Sequence, residues 1–443
     1  MQNQGIRDAR SLGTPKLLVL GLQHMFAMFG ATVLVPALTG LSVSATLLFA
    51  GLGTLFFHFL TKGKVPAFLG SSFAYLAGYA AIAPNGEAAL LPYACVGVAA
   101  SGLLYLILAA LVRGFGANRV MRFFPPIVTG PIIICIGMTL ANSAINNCTG
   151  SWDIALVAII TVVVFNIWGK GMLRIIPILL GVLVSYAYAA VTGRVDFSGV
   201  ANAAWIGLPV KMENTVFSLI GNCDVNLLVT AIIAIMPIAF ATMIEHIGDI
   251  CAISSTVGEN FIADPGLHRT LLGDGLATSI ASLFGAPANT TYGENTGVLA
   301  LTRVYDPLVI RLAAVYAIIA SFCPKFAALV SAMPTGTIGG VSLILYGMIS
   351  AIGVRNLVEN QVDLSKSRNV IVVSLIISLA LGITFSAAGA ITFHVGEFTL
   401  NFSGLAVAAI IGIVVNAILP GKDYDFQNNY EYGKTTEDHG QML

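Results

Sequence analysis

Thr290-Thr291-Tyr292-Gly293-Glu294-Asn295-Thr296-Gly297, running on to Thr302-Arg303, sets a carboxylate, an amide, an aromatic ring and two glycines between long apolar runs. If those runs cross a bilayer, this stretch lies inside it. Polar side chains and freed backbone groups are costly in hydrocarbon, so an intramembrane carboxylate marks a substrate or proton pathway by default. The reading of the chain turns on its flanks.

Composition makes those flanks membrane spans. Of 443 residues, 57% are hydrophobic and 9% charged, with a mean hydropathy of +0.89, whereas soluble domains carry about 25% charged residues. The chain reads as an all-α polytopic membrane protein. A formal net charge of zero argues against nucleic acid as a partner. The first apolar run is too long for a cleaved signal peptide. Cys95, Cys135, Cys148, Cys223, Cys251 and Cys323 show no metal-ligand spacing and read mostly as small core residues. Cys148 and Cys223 fall in loops on one side, where a disulfide is the alternative to free thiols. No P-loop, nucleophile elbow or HExxH sequence occurs, so the chain reads as neither an ATP-driven pump nor an enzyme, without metal or cofactor.

A helix needs roughly 20 apolar residues to cross, about 17–25 in range. Such runs predict spans near 17–36, 43–61, 65–84, 89–112, 124–142, 153–169 and 175–192, then a polar connection. A second set follows near 226–247, 269–286, 289–304, 307–328, 333–352, 368–386 and 400–419. Residues 420–443 read as a cytoplasmic tail. Spans 269–286 and 289–304 are weak, being short and carrying Asp274, Pro287 and Glu294. Charge supports them. With the N-terminus inside, fourteen spans leave only Arg194, Lys211 and Lys325 of the 21 basic residues outside, which is the positive-inside pattern.

The two sets repeat one another, 17–192 and 226–419. Gln23-His24 in the first span matches Glu245-His246 in the eighth, and Ser71-Ser72-Phe73-Ala74 in the third matches Thr290-Thr291-Tyr292-Gly293 in the tenth. Seven spans per copy is an odd number, so the copies have inverted topology, a transporter architecture with its site near the midplane. Spans 3 and 10 are the interrupted pair. Their Ser, Thr, Phe and Tyr suit extended strand, and two short strands there would leave half-helices whose N-termini favour acceptor groups on a ligand.

The candidate site residues follow from that placement. Glu245 and Glu294 are the candidate ligands, and Asp249 shares the face of Glu245 at i, i+4. Any of these carboxylates could exchange a proton, which suits a proton-coupled carrier. Phe73 and Tyr292 offer aromatic surface to a flat ligand. Gln23, His24 and Tyr346 read as hydrogen-bonding support near the site. Asp264 and Asp274 read as loop or capping residues, and the alternative to a ligand role for Glu245 is a structural partnership with His246 or a neighbouring helix.

Glu294-Asn295-Thr296-Gly297 followed after four residues by Thr302-Arg303, with Gln23-His24, resembles the signature of the nucleobase–ascorbate transporter family, over nearly the whole chain. Residues 23–32, Leu69-Gly70-Ser71-Ser72-Phe73 and 289–295 look closest to the bacterial uracil permeases of that family. The resemblance implies a core domain (about 17–112 plus 226–328) and a gate domain (about 113–225 plus 329–419), with short antiparallel strands in spans 3 and 10. It implies a proton-coupled uracil symporter of the cytoplasmic membrane working by alternating access, both termini inside. Glu245 and Glu294 would accept the ring N–H groups, while backbone amides at Phe73 and Gly293 would face its carbonyls. Ser72 and Asn295 come with the same motifs. Glu at 294 favours a pyrimidine, since Gln there is more typical of xanthine carriers. A xanthine or other purine permease, and an anion carrier or channel of related fold, remain alternatives. Dimers occur in families with this fold, which adds a second copy of the chain to the lipid bilayer, the nucleobase and H+ as expected partners.

Overall fold

Leucine, valine, isoleucine and alanine on every face of a segment leave no polar side to meet water, which suits a helix in lipid or among other helices. Proline in the first turn and oxygen-bearing caps start many of these helices, where the first N–H groups have no intrahelical acceptor. The computed structural model describes residues 5–421 apart from 222, 396 and 397. The expected tail, with Lys422 and Lys434, otherwise lies outside the described residues.

The elements run α1 (Thr14–Thr39), α2 (Val43–Leu60), β1 (Leu69–Ser71), α3 (Leu76–Ile82), α4 (Leu91–Phe115), α5 (Pro126–Cys148), α6 (Trp152–Trp168) and α7 (Pro177–Val191). After a connection come α8 (Val225–Ile235), α9 (Ala239–Val257), α10 (Leu267–Leu283), β2 (Asn289–Thr291), α11 (Gly293–Thr302), α12 (Pro307–Ser321) and α13 (Pro324–Ser331). The chain closes with α14 (Thr335–Glu359), α15 (Ser367–Thr384), β3 (Ala390–Val395), β4 (Phe398–Ser403) and α16 (Gly404–Ile418). Among the described residues, seven helical segments are long and apolar enough to cross a membrane, α8 and α9 together counting as one. The molecule is mostly helical and multi-span.

Four local features differ from the sequence expectation. The eighth span does not stop near 247: its helix runs to Val257, tightened into a 3-10 turn at Met236–Ile238. Pro237 lies in that turn and cannot donate to the helix ladder. The eleventh is not straight, because α12 and α13 meet at 88° just before Pro324, where the residue preceding proline is steered away from helix. Residues 400–403, expected to open the last helix, belong to β4, which pairs antiparallel with β3 from Ala390 opposite Ser403 to Val395 opposite Phe398. The alternation of Ile391, Phe393 and Val395 with Thr392 and His394 has the period of a strand, not of a helix. Cys148, expected in a loop, is buried at the end of α5; it and the exposed Cys223 are free thiols, the reading preferred over a disulfide.

Close helix crossings rest on small residues. A Cβ on Gly137 of α5 would stand 2.2 Å from the Tyr346 carbonyl oxygen of α14, so only glycine lets the two backbones approach as they do. At one end of the bundle the N-terminal segment is tied down. The Ile6 N–H donates to the Arg303 carbonyl (2.7 Å) and the Tyr305 N–H to the Ile6 carbonyl (2.8 Å). Asp306 caps α12 through Leu308 N–H and takes the Ala9 N–H at 2.8 Å. Nearby, the Lys64 ammonium beside Asp264 holds that carboxyl below its ordinary range.

Candidate functional site

Two three-residue strands cross in the interior. Antiparallel β1 and β2 pair Leu69 with Thr291, Gly70 with Thr290 and Ser71 with Asn289. The ladder extends to Ser72 N–H on the Ala288 carbonyl (2.8 Å) and Tyr292 N–H on the Phe68 carbonyl (3.0 Å). Extended backbone at this depth must be satisfied by protein. Side chains of the flanking helices do so. Thr54 of α2 accepts the Leu69 N–H at 2.9 Å, and Thr278 of α10 donates to the Asn289 carbonyl at 2.8 Å. Asn289 donates to the Phe49 carbonyl at 3.0 Å, and Ser71 Oγ to the Thr32 carbonyl at 3.0 Å.

Tyr292 locks this crossing. Its hydroxyl donates to the Ser71 carbonyl at 2.9 Å, and its ring lies so close over Gly70 that a Cβ there would stand 2.4 Å from it. Gly70→Ala should therefore displace the strand or the ring and destabilise the protein by about 1–3 kcal/mol, the usual cost of overpacking. A thermal midpoint in detergent equal to that of the parent would count against this packing.

The carboxylates converge on the strands from two helices. Gly293 opens α11, so Glu294 sits in its first turn, where the N–H groups have no acceptor within the helix; a Cβ built on Gly293 would meet nothing within 4 Å. Glu245 and Asp249 lie one turn apart on α9, which packs against α11 and β2. Thr291 Oγ1 donates to Asp249 Oδ2 at 2.7 Å, joining strand to helix. Glu245 Oε2 is buried without a hydrogen-bond partner in the chain. Glu245, Asp249 and Glu294 all keep part of their surface accessible. Such a group can meet a ligand.

The other candidate residues make their own contacts. Phe73 and Tyr346, both buried, meet edge to face with ring centroids 5.7 Å apart. Asn295 donates to the His24 carbonyl at 3.1 Å and lies 3.2 Å from His24 Nδ1, fastening α11 to α1. Gln23 is buried beside His24. Ser72 and Thr290 carry buried hydroxyls without partners in the chain. Within the signature, Thr302 Oγ1 donates to the Val298 carbonyl at 2.9 Å, and Arg303 ends α11 in the left-handed region at φ 54°. Those two residues close the helix.

One residue departs from the sequence reading. Asp274 is not a loop or cap residue but lies inside α10, beside His246. Both are fully buried, with His246 Nδ1 3.3 Å from Asp274 Oδ2, and they join α9 to α10 behind Glu245. The signal was present: Asp274 interrupts a span at Gly273-Asp274-Gly275, and a carboxylate at such a place demands a partner.

The chain resembles known proteins along most of its length. Residues 15–389 match the model of the Permease family. The uracil permease of Bacillus caldolyticus is 41% identical, over 96% of this chain and 96% of that protein. That of Bacillus subtilis (strain 168) is 39% identical, over 99% and 98%. The transmembrane domain of the cyanobacterium bicarbonate transporter BicA shares the fold, with a TM-score of 0.60 at 13% identity, over 94% of this chain and 100% of that one. The chain is a membrane transporter rather than an enzyme, and it belongs to the Permease family.

Proposed function

We propose that this protein is a proton-coupled uracil symporter of the cytoplasmic membrane, working by alternating access with both termini inside. One observation carries the reading. Glu245, with an oxygen that has no partner in the chain, lies on α9, which packs against α11, the half-helix that follows the strand crossing and carries Glu294 in its first turn. Uracil has two N–H donors and two carbonyl acceptors on one flat ring. Glu245 and Glu294 accept the N–H groups, and the amides of Gly293 and Phe73 face the carbonyls. Phe73, backed by Tyr346, provides the aromatic surface, and Ser72 and Tyr292 border it. Gln23, His24 and Asn295 hold α11 in place. Asp249, tied to Thr291, takes part with the two glutamates in proton exchange.

The architecture behind this is two inverted repeats of seven spans, 17–192 and 226–419, divided into a core domain (about 17–112 plus 226–328) and a gate domain (about 113–225 plus 329–419). The repeated motifs and the single-sided distribution of basic residues support it. A cluster of carboxylates without a Lys or Arg among these residues disfavours an anionic substrate, which they would repel. Relatives that are uracil permeases favour uracil over a purine.

Purified protein in proteoliposomes, given labelled uracil under an imposed pH gradient (inside alkaline), should accumulate uracil, with excess unlabelled xanthine or uric acid competing weakly. Uptake that ignores the gradient would remove the coupling. Stronger competition by xanthine would move the assignment to a purine.

A further inference from the structure

The connection between α7 and α8 reads as polar in sequence, yet it carries a row of uncovered apolar side chains. Trp205 is 72% exposed, Ile206 84%, Leu208 80%, Met212 69% and Ile220 79%. The opposite face of the same connection is already spent on the protein: Val210, Val216 and Leu219 pack inward, and Phe217 meets Phe284 edge to face at 5.6 Å. The outward row is therefore not loose core. It has a fixed mount. The Gly207 N–H donates to the Phe322 carbonyl and the Lys325 N–H to the Ala204 carbonyl, each at 3.0 Å. Lys325 Nζ lies 5.1 Å from the centre of the Trp205 ring.

That mount sets the orientation. Residues 322 and 323 form the 88° bend between α12 and α13, and Lys325 follows in the first turn of α13; with α12 crossing the bilayer, α13 lies along its surface. The inner side of α13 is held by Phe326, whose ring is 5.2 Å from that of Phe29, and its Leu329 carbonyl accepts from Tyr186 at 3.0 Å. A surface helix bearing lysine, next to an exposed tryptophan and aliphatic side chains, has the chemistry of a membrane interface.

We propose that residues 205–220 and α13 form an anchor embedded in the phospholipid headgroup–acyl boundary, with Trp205 immersed and Lys325 at headgroup level. The proposal is independent of the substrate. It is tested on the full chain in nanodiscs with Trp152→Phe and Trp168→Phe, so that Trp205 is the sole indole. Lipids carrying a nitroxide at a shallow acyl position should cut its emission by about half, as for an interfacial indole, with aqueous iodide having little effect. Strong iodide quenching without lipid quenching would place the row in water and overturn the proposal. Shielding from both quenchers would assign the row to a second copy of the chain, and would equally overturn it.

Discussion

Glu245→Gln is expected to weaken uracil binding by about 10- to 100-fold, which corresponds to the roughly 1.5–3 kcal/mol carried by a hydrogen bond to a charged group. The substitution is isosteric, so packing on α9 is preserved and the protein should remain folded. The change is chemical. A carboxylate offers only acceptors, whereas the amide turns one of its two positions into a donor that opposes a ring N–H. Glu294→Gln should act in the same direction, and it should narrow the gap between uracil and xanthine. The measurement is a uracil-dependent thermal shift beside uptake at a fixed pH gradient. Parent-like binding by Glu245→Gln would sink the ligand assignment. Intact binding with uptake that no longer responds to the gradient would instead make Glu245 a coupling residue only.

Asp274→Ala is the second large effect, and it is one of stability. Removing one side of a buried polar contact leaves the other desolvated and uncompensated, typically at a cost of about 1–3 kcal/mol. His246, fully buried and 3.3 Å from Asp274, would be stranded between α9 and α10. Asp274→Asn keeps the shape and an acceptor, so it should recover much of that loss. Thermal midpoints of the two variants in detergent give the comparison. Equal midpoints would show that the pair does not hold these helices together. Because His246 adjoins Glu245, a displaced α9 should also weaken uracil binding in the alanine variant more than in the asparagine one.

The polytopic class needed nothing beyond composition, since a chain with 9% charged residues has too little polar surface to fold in water as a domain. The stretch from Thr290 to Gly297 was conspicuous for a similar reason: polar groups inside hydrocarbon are costly enough to stand out one by one. Glu245 and Asp249 stood out in the same way, and their spacing placed them on one helix face. Period explains what was missed elsewhere. The β3 and β4 hairpin is too short and too apolar to be told from the start of a helix by hydropathy, although its alternation was visible in Ile391, Phe393 and Val395. The 88° bend before Pro324 was hidden because hydropathy sums over a window and does not register direction.

Sequence alone determined that this chain lives in a membrane, that it belongs with permeases, and which carboxylates lie where carboxylates are costly. These are properties of residue type and one-dimensional spacing. Only the tertiary structure decided the partners. It set Thr291 against Asp249, paired His246 with Asp274 across two helices, and laid Tyr292 over Gly70. It also turned Arg303 into the end of a helix, and gave the α7–α8 connection one face for the protein and another without cover. Contacts between residues 28 to 221 positions apart, His246 beside Asp274 and Tyr292 hydrogen-bonded to Ser71, depend on where the backbone brings two groups together. No local pattern encodes that meeting.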